Sequence, residues 1–384
     1  MGDQEIVAAA RELPRRSEAG HTFPFGRGTG PLTFRAMLAD LTLQLTRGQS
    51  LAEEQAQAAA VAMVLESVAA EVKADFLTAL AHKGETPEEI AAFARALREY
   101  SLVPPLPASL RARHLLDVVG TGGDRLNTFN ISTATALLCA AAGVTVAKHG
   151  NRAVTSACGS ADVLEALGIP VDQSPEEAAR ALAEEGFAFF FAPRYHPAFR
   201  HVAAARKLCA ERGQRTIFNF LGPLLNPARP SAMLVGVARP ELCAPLGCVL
   251  QSLGVARAMV VCGTVPTPEG AVALDELSIL GPNRVAEFYQ ERGFAESELG
   301  LAGMPFQPAS LADLRGGDRE TNAEIVRRIL RGAERGPKRD AVLLNTGAAL
   351  FVAGAARSVA EGWSLAEQVI ANGQAAAKLT ALAR

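Results

Sequence analysis

The chain of 384 residues lacks the features that mark membrane-spanning, secreted and strongly charged proteins. No apolar run reaches the length of a transmembrane helix, and the acidic N-terminus, broken at Pro14, does not have the form of a secretory signal. The formal net charge is −2, which gives no broad basic surface for nucleic acid or an anionic membrane. We therefore expect a cytoplasmic protein that binds neither a membrane nor nucleic acid.

Cysteine is scarce, and its spacing predicts neither a metal site nor a disulfide framework. The six cysteines are scattered without a CxxC pair, and several lie within apolar stretches. This pattern favours buried, reduced thiols in a reducing compartment over zinc ligands or disulfides. The residues concerned are Cys139, Cys158, Cys209, Cys243, Cys248 and Cys262.

Apolar periodicity divides the chain into parts, and we find no internal repeat. From Leu32 to Leu102 apolar residues recur at helical spacing, and the proline-rich stretch 103–107 then breaks the pattern. Four sequences of a hydroxyl residue followed three positions later by Glu predict helix starts at Ser50, Thr86, Ser174 and Ser364. We expect an extension at 1–31, a helical domain at 32–105 joined by helices from about 197–225, and an α/β domain at 106–384.

Beyond the proline-rich stretch, short apolar strands alternate with helices. Such alternation predicts a mainly parallel sheet covered by helices, so the expected fold class is α/β with an additional small all-helical domain. The predicted strands are 115–119, 144–147, 187–192, 232–237 and 258–262, and helices are predicted at 132–142 and 162–167.

A glycine-rich loop, Gly120-Thr121-Gly122-Gly123-Asp124, directly follows the first of these strands. Its glycines let backbone amides approach a ligand, and loops at the carboxyl ends of parallel strands are where α/β proteins bind ligands. The next helix opens at Asn130-Ile131-Ser132-Thr133, which adds hydroxyls and free amides at the positive end of a helix dipole. Together they predict a site for phosphate or pyrophosphate. The loop has neither the GxxxxGK[ST] nor the GxGxxG spacing, which disfavours a P-loop or dinucleotide fold.

Three further groups of polar residues are candidates for the same site. Lys148-His149-Gly150-Asn151-Arg152 ends the second predicted strand, and polar residues clustered at a strand end suggest ligand binding as well as a structural turn. Arg206 has the planar fork that matches a carboxylate, although a helical arginine is more often a solvated side chain. Asp275 and Glu276 are adjacent carboxylates in an apolar setting, as a turn or a magnesium site would have them.

Taken in order, these blocks resemble the anthranilate phosphoribosyltransferase family. The similarity extends from about residue 34 to the C-terminus, and several long motifs in the correct order are far more specific than any one alone. The matching motifs are KGETPEEIAAFARALRE at 83–99, GTGGD at 120–124, NTFNIST at 127–133, AKHGNRAV at 147–154, GSADVLEALG at 159–168, FAPRYHP at 191–197, RTIFNFLGPL at 215–224 and LDELS at 274–278.

The resemblance implies an enzyme that joins anthranilate to phosphoribosyl pyrophosphate, depends on Mg²⁺ and is a homodimer. Pyrophosphate departure leaves positive charge on the sugar and negative charge on the leaving group, which Mg²⁺, lysine and backbone amides stabilise. We expect no covalent intermediate and assign no general base. The implied residues are Gly120, Thr121, Gly122, Gly123, Asp124, Asn130, Ser132, Thr133 and Lys148 for phosphoribosyl pyrophosphate, Ser132, Asp275 and Glu276 for magnesium, and Asn151, Tyr195, His196, Arg206, Gly222 and Pro223 for anthranilate.

The chain departs from the family pattern in three places. Ser156-Ala157-Cys158 stands where the family commonly has Ser-Lys-Ser, and the lost cation and hydroxyl predict weaker binding of phosphoribosyl pyrophosphate. Arg125-Leu126 replaces small or flexible residues after the glycine-rich loop. By spacing, about three extra residues lie between Arg206 and Arg215.

Two alternative functions stay open at this point. One is a related phosphoribosyltransferase or a pyrimidine nucleoside phosphorylase with another acceptor, although the phosphorylases carry a lysine-histidine-serine signature where this chain reads Lys148-His149-Gly150. The other is a non-enzymatic paralogue that binds nucleic acid, which the sequence pI of about 6.4 disfavours.

Overall fold

The computed structural model describes residues 31–153, 158–289, 293–300 and 302–383. The predicted N-terminal extension therefore lies outside the described residues, apart from Pro31, which begins the first helix. None of the helices in the described ranges is both long and apolar enough to cross a bilayer.

From residue 31 to residue 98 the described chain forms four helices: α1 (Pro31–Thr46), α2 (Glu53–Met63), α3 (Ala70–Lys83) and α4 (Pro87–Arg98). The helix start predicted at Thr86 is confirmed, because Thr86 Oγ1 accepts from Glu89 N at 3.3 Å and Glu89 Oε2 accepts from Thr86 N at 2.8 Å. The start predicted at Ser50 is wrong. There the N-cap is Ala52, whose N–H donates to Gln55 Oε1 at 2.9 Å.

Within the described ranges, eight strands form one sheet in the order β3-β2-β1-β4-β5-β7-β8, with β6 paired to β5. The first five are parallel to one another, whereas β6, β7 and β8 run antiparallel to their neighbours. The five predicted strands and the mainly parallel sheet are thus confirmed, and the three antiparallel strands were not predicted. The strands are β1 (Leu115–Gly120), β2 (Thr145–Gly150), β3 (Phe187–Phe191), β4 (Ala232–Gly236), β5 (Arg257–Thr267), β6 (Gly270–Leu274), β7 (Asn283–Tyr289) and β8 (Gly293–Leu299).

The remaining helices cover the sheet. The start predicted at Ser174 is confirmed, since its Oγ accepts from Glu177 N at 3.2 Å, but Ser364 lies inside a helix whose N-cap is Ser358. The α-helices are α5 (Ala108–Arg111), α6 (Ile131–Ala141), α7 (Ser160–Ala166), α8 (Pro175–Glu185), α9 (Ala192–Tyr195), α10 (Ala203–Glu211), α11 (Cys243–Ser252), α12 (Arg319–Leu330), α13 (Pro337–Val352), α14 (Val359–Ala371) and α15 (Gln374–Leu382). Short 3₁₀ helices span Pro197–Val202, Ile217–Asn219, Gly222–Leu225, Pro240–Leu242 and Leu311–Leu314.

Each face of the sheet packs against its own hydrophobic core, as the alternation of side chains along a strand requires. In β4, Leu234 faces a core shared with α6, α7 and α12–α15. Its neighbour Val235 faces a second core, which contains α11 and the N-terminal helices. Segment 197–225 packs into that second core, and Lys73 Nζ of α3 donates to the carbonyl of His201 at 2.7 Å. Because both faces of the sheet are covered, the carboxyl ends of the parallel strands are the place where a ligand site can form.

The cysteines are placed largely as their apolar surroundings predicted. Cys139, Cys209, Cys243 and Cys262 are buried thiols, and Cys158 is buried as well. Cys248 is exposed, contrary to the prediction.

Candidate active site

Three parallel strands end in glycine at one edge of the sheet: β1 at Gly120, β2 at Gly150 and β4 at Gly236. Gly120 and Gly236 are register partners. The glycine-rich loop leaves β1 there with positive φ angles at Gly122 (71°) and Gly123 (88°), a conformation that residues with a β-carbon adopt at a cost. The predicted helix behind it, α6, begins with Asn130 as N-cap.

The acidic pair reaches this edge from a distant part of the sequence. Strand β6 folds back along β5, with Leu274 opposite Gly263, and so delivers Asp275 above the ends of β1 and β4. Gly122 N donates to Asp275 Oδ2 at 2.6 Å although the two residues are 153 positions apart. The glycine-rich loop and the acidic pair therefore form one site.

Glu276 and Lys148 complete the charged part of the site around Ser132. Glu276 Oε1 accepts from Ser132 N at 3.1 Å, and Lys148 Nζ donates to Ser132 Oγ at 3.4 Å and to the carbonyl of Val118 at 2.7 Å. Burial raises the pKa of Glu276 to about 7, although Lys148 opposes the shift. Burial also raises the pKa of Asp275 well above its ordinary value, and the nearby carboxylates of Asp124 and Glu276 add to the effect.

Crowded carboxylates of this kind favour a bound cation. Within the described ranges, no three His, Cys, Asp or Glu side chains converge on one point. Mg²⁺ commonly takes only one or two protein carboxylates and completes its octahedron with water and substrate phosphates. Asp275, Glu276 and the hydroxyl of Ser132 are oxygen donors, so the residues present fit magnesium.

Two buried residues that were not predicted as site residues, Asp117 and Asn226, form a polar network next to Lys148. Asn226 Nδ2 donates to Asp117 Oδ2 and to the carbonyl of Ala147, both at 2.8 Å. Burial raises the pKa of Asp117 to about 6 against the attraction of Lys148, and burial lowers the pKa of Lys148 against the attraction of Asp117 and then Glu276. Both carboxylates therefore oppose the loss of charge that burial favours at Lys148. The position of Asp117 within the otherwise apolar strand 115–119 could have indicated from the sequence that a polar network lies there.

The predicted acceptor residues lie on the other side of β2. His149 Nδ1 is 3.2 Å from the carbonyl of Gly222, and the His149 and His196 rings meet edge to face with centroids 5.3 Å apart. Burial lowers the pKa of His149 to about 3 and that of His196 to about 4. Both imidazoles are therefore neutral at physiological pH. Pro223 is buried directly after Gly222.

Two phenylalanines that were not predicted connect His196 to Arg206. The His196 and Phe199 ring centroids are 5.1 Å apart, and those of Phe199 and Phe218 are 5.9 Å apart. Arg206 Cζ lies 5.7 Å from the centre of the Phe218 ring. The row of rings therefore ends at an exposed guanidinium, the group that suits a carboxylate.

Two predicted site residues, Tyr195 and Thr133, have buried side chains in this conformation. Tyr195 is fully buried, its ring packs on Phe190 at 5.1 Å, and its hydroxyl donates to the carbonyl of Gln173 at 3.2 Å. The structure therefore places Tyr195 in the core and not beside the acceptor residues. The hydroxyl of Thr133 is also buried and has no hydrogen-bond partner in the described part of the chain.

The other predicted residues lie at the site edge. Thr121 Oγ1 is 3.2 Å from the carbonyl of Gly122, and Asp124 Oδ1 accepts from Leu126 N at 3.1 Å. Asn151 is exposed, and its Oδ1 accepts from Arg152 N at 2.7 Å.

Asn130 is held from both sides by residues that sequence reasoning missed. Its Nδ2 donates to the carbonyl of Cys158 at 3.3 Å, and its Oδ1 accepts from Asn322 Nδ2 at 2.9 Å. Asn322 Oδ1 in turn accepts from Gly317 N at 2.8 Å, which ties the start of α12 to the site. Nothing in the local sequence around Asn322 indicates this contact, because the two asparagines are 192 positions apart.

The three departures from the family pattern lie only partly within the described residues. Ser156 and Ala157 lie outside the described residues. Arg125 is exposed and has a φ of 62°, a backbone conformation that is costly for a residue with a β-carbon. The stretch between Arg206 and Arg215 completes α10 and its turn, and Arg212 Nη1 there pairs with Asp75 of α3 at 3.0 Å.

Comparisons with known proteins agree with this arrangement. The helical bundle domain of a glycosyl transferase family matches residues 39–101, and the α/β domain of the glycosyl transferase family matches residues 112–376. Anthranilate phosphoribosyltransferase of Thermus thermophilus is 46% identical over 329 residues, which are 85% of this chain and 93% of that protein.

Solved structures show the same similarity in three dimensions. The crystal structure of anthranilate phosphoribosyltransferase from Thermus thermophilus superimposes with a TM-score of 0.80 at 44% identity, covering 90% of this chain and 98% of that one. A Saccharomyces cerevisiae anthranilate phosphoribosyltransferase variant with Mg bound gives a TM-score of 0.78 at 25% identity, covering 91% of this chain and 97% of that one.

Proposed function

The chain belongs to the anthranilate phosphoribosyltransferase family, and we propose that it transfers the 5-phosphoribosyl group of phosphoribosyl pyrophosphate to the amine of anthranilate in tryptophan biosynthesis. One observation carries the proposal: the 2.6 Å hydrogen bond from Gly122 N to Asp275 Oδ2 unites the glycine-rich loop with the acidic pair. An anion site beside paired carboxylates suits a pyrophosphate that binds together with a divalent cation.

The donor side of the site would bind phosphoribosyl pyrophosphate through backbone amides and Lys148. Residues 120–124 and the N-terminal turn of α6, with Asn130 and Ser132, supply donors at one edge of the sheet. Lys148 Nζ lies 3.4 Å from Ser132 Oγ, so its positive charge faces the same place. Charge that develops on the departing pyrophosphate is stabilised by these fixed groups without reorganisation. Thr133 would act through the packing of α6, because its hydroxyl is buried.

Asp275, Glu276 and Ser132 would hold magnesium. When bound, the ion neutralises charge on the pyrophosphate leaving group. Burial, and after it the neighbouring carboxylates, raises the pKa values of Asp275 and Glu276, and a bound cation would relieve both effects. Two carboxylates that repel each other bind a divalent ion more tightly than an isolated carboxylate does, because the ion attracts both.

The acceptor side would position anthranilate between Arg206 and the neutral imidazoles of His149 and His196. Arg206 would bind the carboxylate, and the half-buried ring of Phe199 would pack against the anthranilate ring. Gly222, Pro223 and Asn151 would line the entrance, and Tyr195 would act only through packing, because its ring contacts Phe190 in the core. The aromatic amine needs correct placement more than a strong base, so we assign no general base and no covalent intermediate.

The domain division and assembly are proposals of the same kind. We place the domain boundary near 105, with segment 197–225 assigned to the helical domain through its shared core. A homodimer is the assembly that the resemblance to the family implies. The buried reduced cysteines suit a cytoplasmic location, and the net charge of −2 gives no basic surface for nucleic acid. Light scattering of the purified protein would give twice the chain mass for a dimer.

The decisive experiment follows the fluorescence of anthranilate with phosphoribosyl pyrophosphate and magnesium, and repeats the assay with a chelator. Loss of fluorescence that the chelator abolishes would establish the reaction. Phosphorolysis of a pyrimidine nucleoside with no turnover of anthranilate would refute it in favour of the phosphorylase alternative. Tight, salt-sensitive binding to DNA would favour the non-enzymatic one.

A further inference from the structure

Two asparagines hold the backbone that follows the acidic pair. Asn345 of α13 is fully buried, and its Oδ1 accepts from Leu277 N at 3.0 Å while its Nδ2 donates to Leu277 O at 2.9 Å. Both backbone groups of Leu277 are therefore bonded by a single side-chain amide. The second proton on Nδ2 goes to the carbonyl of Ala341, at 2.9 Å, within α13 itself.

The next residue is held in the same way. Asn283, at the start of β7, is also fully buried. Its Oδ1 accepts from Ser278 N at 2.6 Å and its Nδ2 donates to Ser278 O at 3.0 Å. Two consecutive residues are thus each paired through both of their backbone groups, in the manner of a short β-ladder.

These contacts fix the acidic pair from one side, and the sheet fixes it from the other. A β-carbon on Gly263 would lie 2.5 Å from the carbonyl oxygen of Glu276, so the loop backbone contacts β5 directly at Gly263. A rotation of Leu277 would leave its buried N–H and C=O, and the amide of Asn345, without partners. The direction in which Asp275 and Glu276 point is therefore set largely by residues that carry no charge.

From this arrangement we propose that Asn345 is a positioning residue that sets the affinity of the Asp275–Glu276 loop for magnesium with phosphoribosyl pyrophosphate. The inference rests on the proposed function. Residues that orient metal-binding side chains without touching the metal typically change metal affinity about 10- to 100-fold when they are replaced. Asn345 does so through the backbone of Leu277, and Asn283 supports it through Ser278.

The test compares two neighbouring substitutions in α13. Asn345→Asp keeps the oxygen that accepts from Leu277 N but replaces the donor with an oxygen that faces the carbonyls of Leu277 and Ala341. Thr346→Val is the matched control, since Thr346 is equally buried and its hydroxyl has no hydrogen-bond partner among the described residues. Magnesium is titrated calorimetrically into each folded protein with phosphoribosyl pyrophosphate present, and the KM for anthranilate is measured at saturating magnesium.

We expect Asn345→Asp to weaken magnesium binding about 10-fold or more with an unchanged KM for anthranilate, and Thr346→Val to change neither. A folded Asn345→Asp protein with wild-type magnesium affinity would overturn the inference, and so would an equal loss in Thr346→Val. Asn283→Asp, which removes the donor to Ser278 O, gives the same readout if Asn345→Asp does not fold. Wild-type protein that binds no magnesium with phosphoribosyl pyrophosphate would instead refute the proposed function.

Discussion

The carbonyl oxygen of Asp275 lies against the α-carbon of Gly236, so close that a β-carbon on Gly236 would be 1.7 Å from it. A β-carbon on Gly120, the register partner of Gly236, would lie 2.4 Å from Asp275 Oδ2. The ends of β1 and β4 are therefore the surface on which the acidic loop rests. Any side chain at either position must displace the loop.

Gly236→Ala should accordingly move the acidic loop and reduce both stability and turnover. We expect a loss of about 1–3 kcal/mol in the free energy of unfolding, the usual cost of overpacking, and a strong rise in the magnesium concentration needed for half-maximal activity. Urea unfolding and a magnesium titration of the activity measure the two effects. Gly300→Ala is the control, because no atom lies within 4 Å of a β-carbon there. Equal effects in the two variants would contradict this view of the loop.

Lys148 and Asp117 offer a test of the buried charges. Lys148→Met removes the cation and leaves the Asp117 carboxylate fully buried, which should cost about 3 kcal/mol of stability. The double variant Lys148→Met with Asp117→Asn should recover much of that loss, since it leaves no unpaired charge. Binding of phosphoribosyl pyrophosphate should stay weak in both variants. Equal stability of the single and double variants in urea would show that the two charges are not coupled.

The sequence allowed a prediction for the parts of the site whose residues lie at the end of a strand. The glycine-rich loop after β1 and Lys148 at the end of β2 could be placed together because parallel strands share one carboxyl edge. Asp275 was harder to place, since the short apolar sequence of β6, Gly-Ala-Val-Ala-Leu, does not show that the strand folds back antiparallel to β5. The helix start predicted at Ser50 was wrong although the motif was present, because the helix begins at Glu53 with Ala52 as its N-cap.

Contacts that depend on distant packing could not be read from the sequence. Asn322 reaches Asn130 from α12, and Asn345 reaches Leu277 from α13. An asparagine in the middle of a helix gives no sign of which distant backbone it will meet. Tyr195 shows the converse, because the short helix α9 turns its ring into the core although His196 beside it faces His149.

The two buried histidines predict how stability depends on pH. In the folded protein burial holds the pKa of His149 near 3 and that of His196 near 4, below the ordinary 6.5 of the unfolded chain. The unfolded state therefore binds more protons below pH 6.5, so the stability these neutral rings contribute is present above that pH and is lost as the pH falls. At about pH 5 the loss should approach 2 kcal/mol for each histidine.

Urea unfolding at about pH 5 and pH 7.5 measures this dependence, with a window chosen to lie on either side of the unfolded histidine pKa. His149→Gln should be less stable than wild type at the higher pH but should lose less on acidification. His114→Gln is the control for the substitution itself, because His114 is exposed. An unaltered pH dependence in His149→Gln would mean that folding does not lower the pKa of His149.

Arg206 allows the acceptor side to be tested separately from the donor side. Its guanidinium lies 5.7 Å from the Phe218 ring, at the end of the row of rings that begins at His196. Arg206→Lys keeps the charge but loses the planar fork, so the KM for anthranilate should rise about 10- to 100-fold while the KM for phosphoribosyl pyrophosphate is unchanged. Lys207→Ala is the control, since Lys207 is exposed and pairs only loosely with Glu211, at 3.9 Å. If Arg206→Lys instead weakened both substrates equally, Arg206 would be acting on the packing between the helices and the sheet, and the anthranilate carboxylate would have to bind elsewhere.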